Sequence, residues 1–424
     1  MARVIPFRGL RYDPNVVELG DVLAPPYDVV DDDLRQQLMG RALQNVIRFE
    51  AGPSLPDDRP GLRDRYTRAR DHLAAWRTSG AVLEERGPAL YLYSHAFRPP
   101  GGGPLERIGC FAAVGLEPWS AGVVLRHEHT LTGPKADRLA LLRVTGVQGS
   151  PVFALYEGAE AATTAIRRRM ATVPPDAEAV TQGEHGRERH RLWVVTDPEL
   201  IGTITQALAP ARLFIADGHH RYETALAYRE EGREGAGPGA PGREHVLMLL
   251  TPLDDPSHVI LPGHRIVPEA RVSAAALVAA LQADGYGAEP VAGVGEALER
   301  MAARRGAAHA FGVVGPEGVT VVHRPRRPAA GPAQGLDVTV LQEEVLERHC
   351  GLDSGAIAAG RLEFTRDPAV VQERVAAARG LGFLVNPTTV EEVVAVATAD
   401  QSMPQKSTYF LPKVPTGLVL YPTR

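Results

Sequence analysis

The chain has 424 residues, 44% hydrophobic and 23% charged, with a formal net charge of -5; it is long enough for a sizeable core and more than one lobe. The acidic balance excludes a general attraction to nucleic acid or an anionic membrane, so any anion site must be local. No apolar run approaches the ~20 residues of a membrane helix, the first residues hold no apolar signal-peptide stretch, and Cys110 and Cys350 form neither a disulfide framework nor a Cys-x-x-Cys motif; a soluble cytoplasmic protein is expected.

Paired prolines in Leu23-Ala-Pro-Pro-Tyr-Asp-Val29 fix an extended corner, where Arg8, Tyr27 and Asp28 are candidates to line a pocket. Asp31 to Asp33 cap a helix toward Met39, and Asn45 to Phe49 reads as a strand. Tyr66, Ala69, Leu73 and Trp76 recur on one helical face, ended at Gly80. Ala89 to Phe97 and Ile108 to Leu116 read as strands. Val123 to Leu125 reads as a strand that delivers Glu128, followed by a helix from about Ala136 and a strand over Ser150 to Tyr156. Leu192 to Val195 is a further strand. Leu213 to Ile215 then enters a strand, tight turn and helix, with Tyr222, Ala225 and Leu226 on one helical face. Glu230 to Arg243 is expected to be a mobile loop before a strand at His245 to Leu250. Beyond Val267, Ala-rich helices alternate with strands near His309 to Val314 and Val319 to Val322. Thr389 with Glu392 forms a capping-box start.

Chemistry concentrates in three places. The turn Asp217-Gly-His-His-Arg-Tyr222 leaves the first N–H groups of a helix unpaired beside the positive end of its dipole, which suits a phosphate. Gly218 permits close approach, His219, His220 and Arg221 add donors for anionic oxygens, and Asp217 can hold a divalent cation or orient a donor. The second constellation is His127, Glu128, His129 and Thr130 with Lys135. The third is Lys406, Ser407 and Thr408, whose hydroxyls and ammonium suit phosphate or carboxylate. Of 46 Lys plus Arg, only Lys135, Lys406 and Lys413 are lysines, which marks them as places where a compact ammonium is required.

The Asp217 to Tyr222 stretch resembles the phosphate-binding box of the ParB/sulfiredoxin superfamily, where a Gly-x-x-Arg segment opens a helix and grips a nucleotide phosphate. Its form is similar to that of the free serine kinases of that superfamily. ParB clamps usually carry Gly-Glu-Arg-Arg there and sulfiredoxins Gly-Cys-His-Arg; His219 takes the cysteine position, so sulfinic-acid reduction is not expected. Over nearly the whole chain, Pro25-Pro-Tyr-Asp-Val29, Asn45-Val-Ile-Arg48, His127-Glu-His-Thr130, Ser150-Pro-Val-Phe153, Asp217 to Thr224, Leu261-Pro-Gly-His-Arg265 and Lys406-Ser-Thr-Tyr-Phe410 resemble one widespread, largely uncharacterised prokaryotic family with this fold. In the kinases an upstream acid removes the substrate hydroxyl proton, and the histidine-arginine box holds nucleotide phosphates with magnesium. The resemblance gives Glu128 the acid's place.

The expected fold is α/β in the α+β sense: a ParB/sulfiredoxin-like mixed-sheet core over residues 106–266, an N-terminal elaboration over 1–105, a C-terminal α/β lobe over 267–400 and a tail over 401–424 that packs back on the body. The expected activity is phosphoryl transfer from ATP or ADP, with Mg2+, to a small hydroxylated metabolite, free L-serine first. Glu128, Asp217 and His220 are the candidate catalytic residues. Gly218, His219, His220 and Arg221 are the phosphate ligands, Asp217 is the candidate magnesium ligand, and His127, Thr130, Lys135, Lys406 and Ser407 are the substrate contacts. Neither nucleic acid nor membrane is expected as a partner, and a homodimer is left open. Two alternatives stay beside this one: a hydrolase with a transition metal on His127, His129, His219 and His220, and a nucleotide-binding switch without metabolite phosphorylation.

Overall fold

The computed structural model describes residues 1–128, 130, 132–234, 241–378 and 380–424. The chain is a mixed α/β protein that divides into two units: Met1–Arg126, Thr130–Val259 and Leu411–Arg424 form the first, and His127–His129 with Ile260–Phe410 form the second.

The first unit is built on a nine-stranded mixed sheet. From one edge the order is Val124–Leu125, Leu213–Asp217, Val152–Tyr156, His245–Pro252, Leu105–Gly115, Leu90–Phe97, Gly186–Val195 and Ala177–Gly183, with Val4–Ile5 on the end of Leu105–Gly115. Successive residues of a strand point to opposite faces, and the two faces differ here in chemistry. One carries Leu90, Leu92, Cys110, Ala112, Val114, Val152, Ala154, Leu213, Ile215, Met248 and Leu250. Helices Glu160–Thr172 and Pro198–Leu208 add Ala162, Ile166, Ile204 and Leu208 to that core. The alternate residues Tyr91, Tyr93, His95, Arg107, Phe111, Phe153 and His190 are equally buried but polar or aromatic.

Helix Arg65–Thr78 starts where expected because Asp64 and Thr67 form a reciprocal capping box. The expected strand at Asn45 to Phe49 is instead helical, over Ile47–Glu50. Asn45 decides this locally: its Oδ1 accepts from the Ile47 N–H at 3.0 Å, while Nδ2 donates to the Asp21 and Leu23 carbonyls at 2.7 and 3.2 Å. A local Asx turn thus overrides the β-branched run after it. The expected loop at Glu230 to Arg243 is in part helical, since one helix runs over His219–Glu234 and a 3-10 turn over Pro241–Glu244; residues 235–240 lie outside the described residues.

The second unit is a six-stranded antiparallel sheet in the order Gly287–Val291, Gly318–Pro325, Ala308–Gly315, Leu381–Val385, His264–Val267 and Glu363–Thr365. Helices Val294–Ala303 and Pro368–Ala378 bury Ala297, Met301, Val371 and Val375 with Ile266, Val314, Val321 and Leu384. Thr389 and Glu392 cap each other's backbone and start helix Val390–Thr398.

Candidate functional site

Strand Leu213–Asp217 pairs with Val152–Tyr156, and the register slips by one residue between Ile215 and Asp217. Such a bulge re-aims the residue beyond it. Ile215 stands opposite Ala154 and shares the apolar face, whereas Asp217 stands opposite Phe153 and shares the polar-aromatic face. Gly218 then takes a φ of +96°, a region that strains any residue with a Cβ. The helix starts at His219, with the Tyr222 N–H on the Gly218 carbonyl at 3.0 Å. Tyr222 anchors the turn from below: it is fully buried and its hydroxyl donates to the Glu117 carbonyl at 2.8 Å.

The carboxylate of Asp217 holds two cations. Lys413 Nζ lies 2.5 Å from Oδ1, and Arg221 binds Oδ2 while its other terminal nitrogen donates to the Pro151 carbonyl. Burial pushes the Asp217 carboxyl up, but Lys413 and then Arg221 outweigh it and hold it below the ordinary carboxylate range. Lys413 is itself placed by Arg107, which is fully buried and donates to the Pro412 carbonyl at 2.9 Å and the Leu411 carbonyl at 2.5 Å. His219 is buried and His220 half-buried on the first turn.

A second carboxylate, on the helix that follows, repeats the arrangement. Glu223 accepts from Lys135 Nζ at 2.9 Å, Arg126 Nη1 at 3.3 Å and Thr130 Oγ1 at 2.5 Å. Burial raises its pKa, yet the bonds from Lys135 and Thr130 and the charge of Arg126 bring it below the ordinary value. Thr130 and Lys135 therefore converge on a residue that sequence reasoning missed. The available signal was its place four residues after His219, on the same helical face.

Behind the box, Glu50 accepts from Arg138 Nη1 at 3.1 Å and from Ser150 Oγ at 2.7 Å. Arg138 stacks 4.1 Å over the Tyr27 ring, and burial pushes that phenol up to about 12. A small cavity of about 50 Å³ opens there, lined by Glu50, Arg138, Ser150, Arg221, Thr224 and Val246 among others. Arg8 turns elsewhere, to Glu84 at 3.0 Å.

The remaining candidates lie in the second unit. His127 is buried, its Nε2 is 3.0 Å from Thr408 Oγ1, and its carbonyl accepts from the Met403 N–H at 2.9 Å. Glu128 is half-buried and bridges Met403 in parallel register. Ser407 is buried, its hydroxyl donating to the Pro404 carbonyl at 2.5 Å within its own turn, and Lys406 is exposed. His129 lies outside the described residues. Of the four histidines of the alternative metal set, His127 belongs to the second unit and His219 and His220 to the first. Among the described residues, the group of three side chains close enough to share a metal ion is a different one: His95, Glu188 and His190.

Gly218→Ala should damage the box without removing any charge. A Cβ at this position would meet Arg221 Nε at 3.0 Å and Val152 Cα at 3.3 Å, and positive φ adds about 1–3 kcal/mol of strain. The expected outcome is a lower melting temperature together with weakened nucleotide binding by titration calorimetry. Unchanged values for both would show that the turn has room this geometry denies it.

Among solved structures, a free serine kinase variant in complex with ADP aligns at 14% identity and a TM-score of 0.38, over 72% of this chain and 87% of its own. A free serine kinase in complex with AMP aligns at 14% identity and a TM-score of 0.37, over the same shares of 72% and 87%. A conserved hypothetical protein from Pyrococcus furiosus aligns at 14% and a TM-score of 0.36, over 73% of this chain and 93% of its own. No curated protein matches. The family profile described as Protein of unknown function (DUF1015) matches residues 4–339, and the chain belongs to that family.

Proposed function

We propose that this member of the DUF1015 family transfers a phosphoryl group from ATP or ADP to the hydroxyl of a small metabolite, with free L-serine the leading acceptor, on a ParB/sulfiredoxin-like core. The observation that carries the reading is the pair of carboxylates on one strand-glycine-helix turn, Asp217 and Glu223, each holding one lysine and one arginine. Four cations gathered at the first turns of a helix match what phosphoryl transfer asks of a protein, which is positioning and charge neutralisation more than covalent chemistry. The resemblance of Asp217 to Tyr222 to the kinase box supports the same reading.

On this reading Gly218, His219, His220 and Arg221 receive the phosphates, and Lys135 and Lys413 exchange a carboxylate for a phosphate oxygen. Glu128 accepts the proton of the acceptor hydroxyl as general base. His127, Lys406 and Ser407 stay with the acceptor side, in the role their residue types gave them. Magnesium would arrive with the nucleotide. Asp217 does not fit a direct ligand while Lys413 and Arg221 each hold one of its oxygens, so we assign it to orienting the box and route no step through the ion.

The test is a ³¹P NMR assay of purified protein with Mg²⁺, ATP or ADP, and L-serine, with other hydroxylated metabolites in parallel. A phosphomonoester that requires the acceptor supports the kinase reading and names the acceptor. Nucleotide binding with no phosphomonoester from any acceptor would replace it by a nucleotide switch. Failure to bind nucleotide at all would overturn the assignment of the box.

A further inference from the structure

We infer that the first unit binds a divalent transition-metal ion through His95, Glu188 and His190, a site separate from the Asp217 turn. The three side chains lie on the polar-aromatic face of the nine-stranded sheet. His190 and His95 are direct cross-strand partners on Gly186–Val195 and Leu90–Phe97. Glu188 sits two residues before His190 and therefore on the same face. The imidazole centroids are 4.4 Å apart, and His95 Nε2 lies 2.8 Å from Glu188 Oε2.

One nitrogen or oxygen from each residue falls within 4.8 Å of the other two. A tetrahedral shell with bonds of about 2.05 Å places its ligand atoms about 3.4 Å apart. Closing that difference takes side-chain adjustment only, on a backbone fixed by sheet pairing. Two histidines and a carboxylate are a donor set that suits zinc and its neighbours.

Two further observations point to a ligand. Both histidines are almost wholly buried, at 0% and 1% relative exposure. His190 is already held as a metal ligand's ring would be: buried Tyr93 bonds Nδ1 at 2.8 Å, leaving Nε2, now on Thr181 Oγ1 at 2.7 Å, for the ion. Thr181 belongs to the edge strand Ala177–Gly183, and its hydroxyl can rotate aside.

Arg107 is the cross-strand partner of His95 on its other side. Its charge opposes cation binding there.

The test uses the full chain, stripped with a chelator and titrated with Co²⁺ followed by visible absorption, and separately with Zn²⁺ followed by melting temperature. One equivalent of Co²⁺ with the bands of a low-coordinate nitrogen-oxygen site is expected, together with a Zn²⁺-dependent rise in melting temperature. His95→Asn and Glu188→Gln should each weaken binding about tenfold or more, whereas Asp217→Asn should leave the Co²⁺ titration unchanged. Glu188 is the less buried ligand, which makes its variant the one to rely on where His95→Asn fails to fold. Absence of a Co²⁺ spectrum and of a Zn²⁺ shift in the unaltered chain would overturn the inference, as would saturation only at several equivalents or binding indifferent to Glu188→Gln. None of these outcomes depends on phosphoryl transfer.

Discussion

Replacing Lys413 with methionine should abolish nucleotide binding and lower the melting temperature, although Lys413 lies 196 residues from the box it completes. Its ammonium is 12% exposed and the Asp217 carboxylate 17%, so neither charge recovers much hydration when the other is removed. Breaking a buried pair by deleting one partner costs about 3–5 kcal/mol, and the surviving bond to Arg221 puts the expected loss at the lower end. Methionine keeps most of the apolar stem, which separates loss of charge from loss of packing. Calorimetric titration with ADP and a thermal melt check both effects. Adding Asp217→Asn should lower the stability further, because the buried Arg221 then loses its carboxylate. Unaltered nucleotide affinity in Lys413→Met would remove this lysine from the site.

The same pair sets a pH expectation. Asp217 has a folded pKa held below its unfolded value, so its contribution to stability is fully present above the unfolded carboxylate range of about 4. It is lost only as pH falls through the lower folded value. Nucleotide binding should therefore show no inflection from Asp217 between about pH 5 and 8. In Lys413→Met, with one of the two cations that depress it gone, loss of stability should begin at a higher pH in an acid titration followed by far-UV circular dichroism.

Glu128→Gln carries the second large effect. The amide keeps the shape of the side chain and leaves the backbone bridge to Met403 intact, so folding should be little changed. What it removes is a base. A general base contributes about 10²–10⁴ in rate; kcat should fall by that order with the dissociation constant for nucleotide unchanged. Turnover at the original rate would refute Glu128 as the base and send the search to another acid. A parallel loss of nucleotide affinity would mark it as a binding residue.

How far these residues were legible depended on whether their partners were local. The apolar run Leu213 to Ile215, the glycine and the helical spacing after it identify the strand, turn and helix because all three signals lie within one short stretch. The scarcity of lysine was also informative, since Lys135 and Lys413 each stand on a carboxylate of the turn. What they stand on was not legible. Glu223 reads as an ordinary helical acid until Arg126, Thr130 and Lys135 are folded onto it. The register slip before Asp217 leaves no local mark either, because it is a property of the pairing with Val152–Tyr156. The error at Asn45 has the opposite origin: period and β-branching were weighed, and the hydrogen bonds of one asparagine side chain outweighed them. Ser407 was read from its chemistry as a donor to substrate, and its hydroxyl is seen here on the Pro404 carbonyl of its own turn, a bond that the sequence did not announce.

The grip of Arg107 on Leu411 and Pro412 has a consequence for the order in which the molecule comes to life. Chains fold as they are made, N-terminal parts first, and the sheet that carries Asp217 can assemble before the 411–424 segment exists. Until that segment docks, Asp217 lacks its ammonium and the Arg107 guanidinium lacks both carbonyls. Docking of one late segment supplies all three contacts at once, so on the proposed reading competence to bind a phosphate would coincide with completion of the fold. A chain released before Lys413 would present a sheet with the same turn and a different charge, and on the proposed reading it should not bind nucleotide.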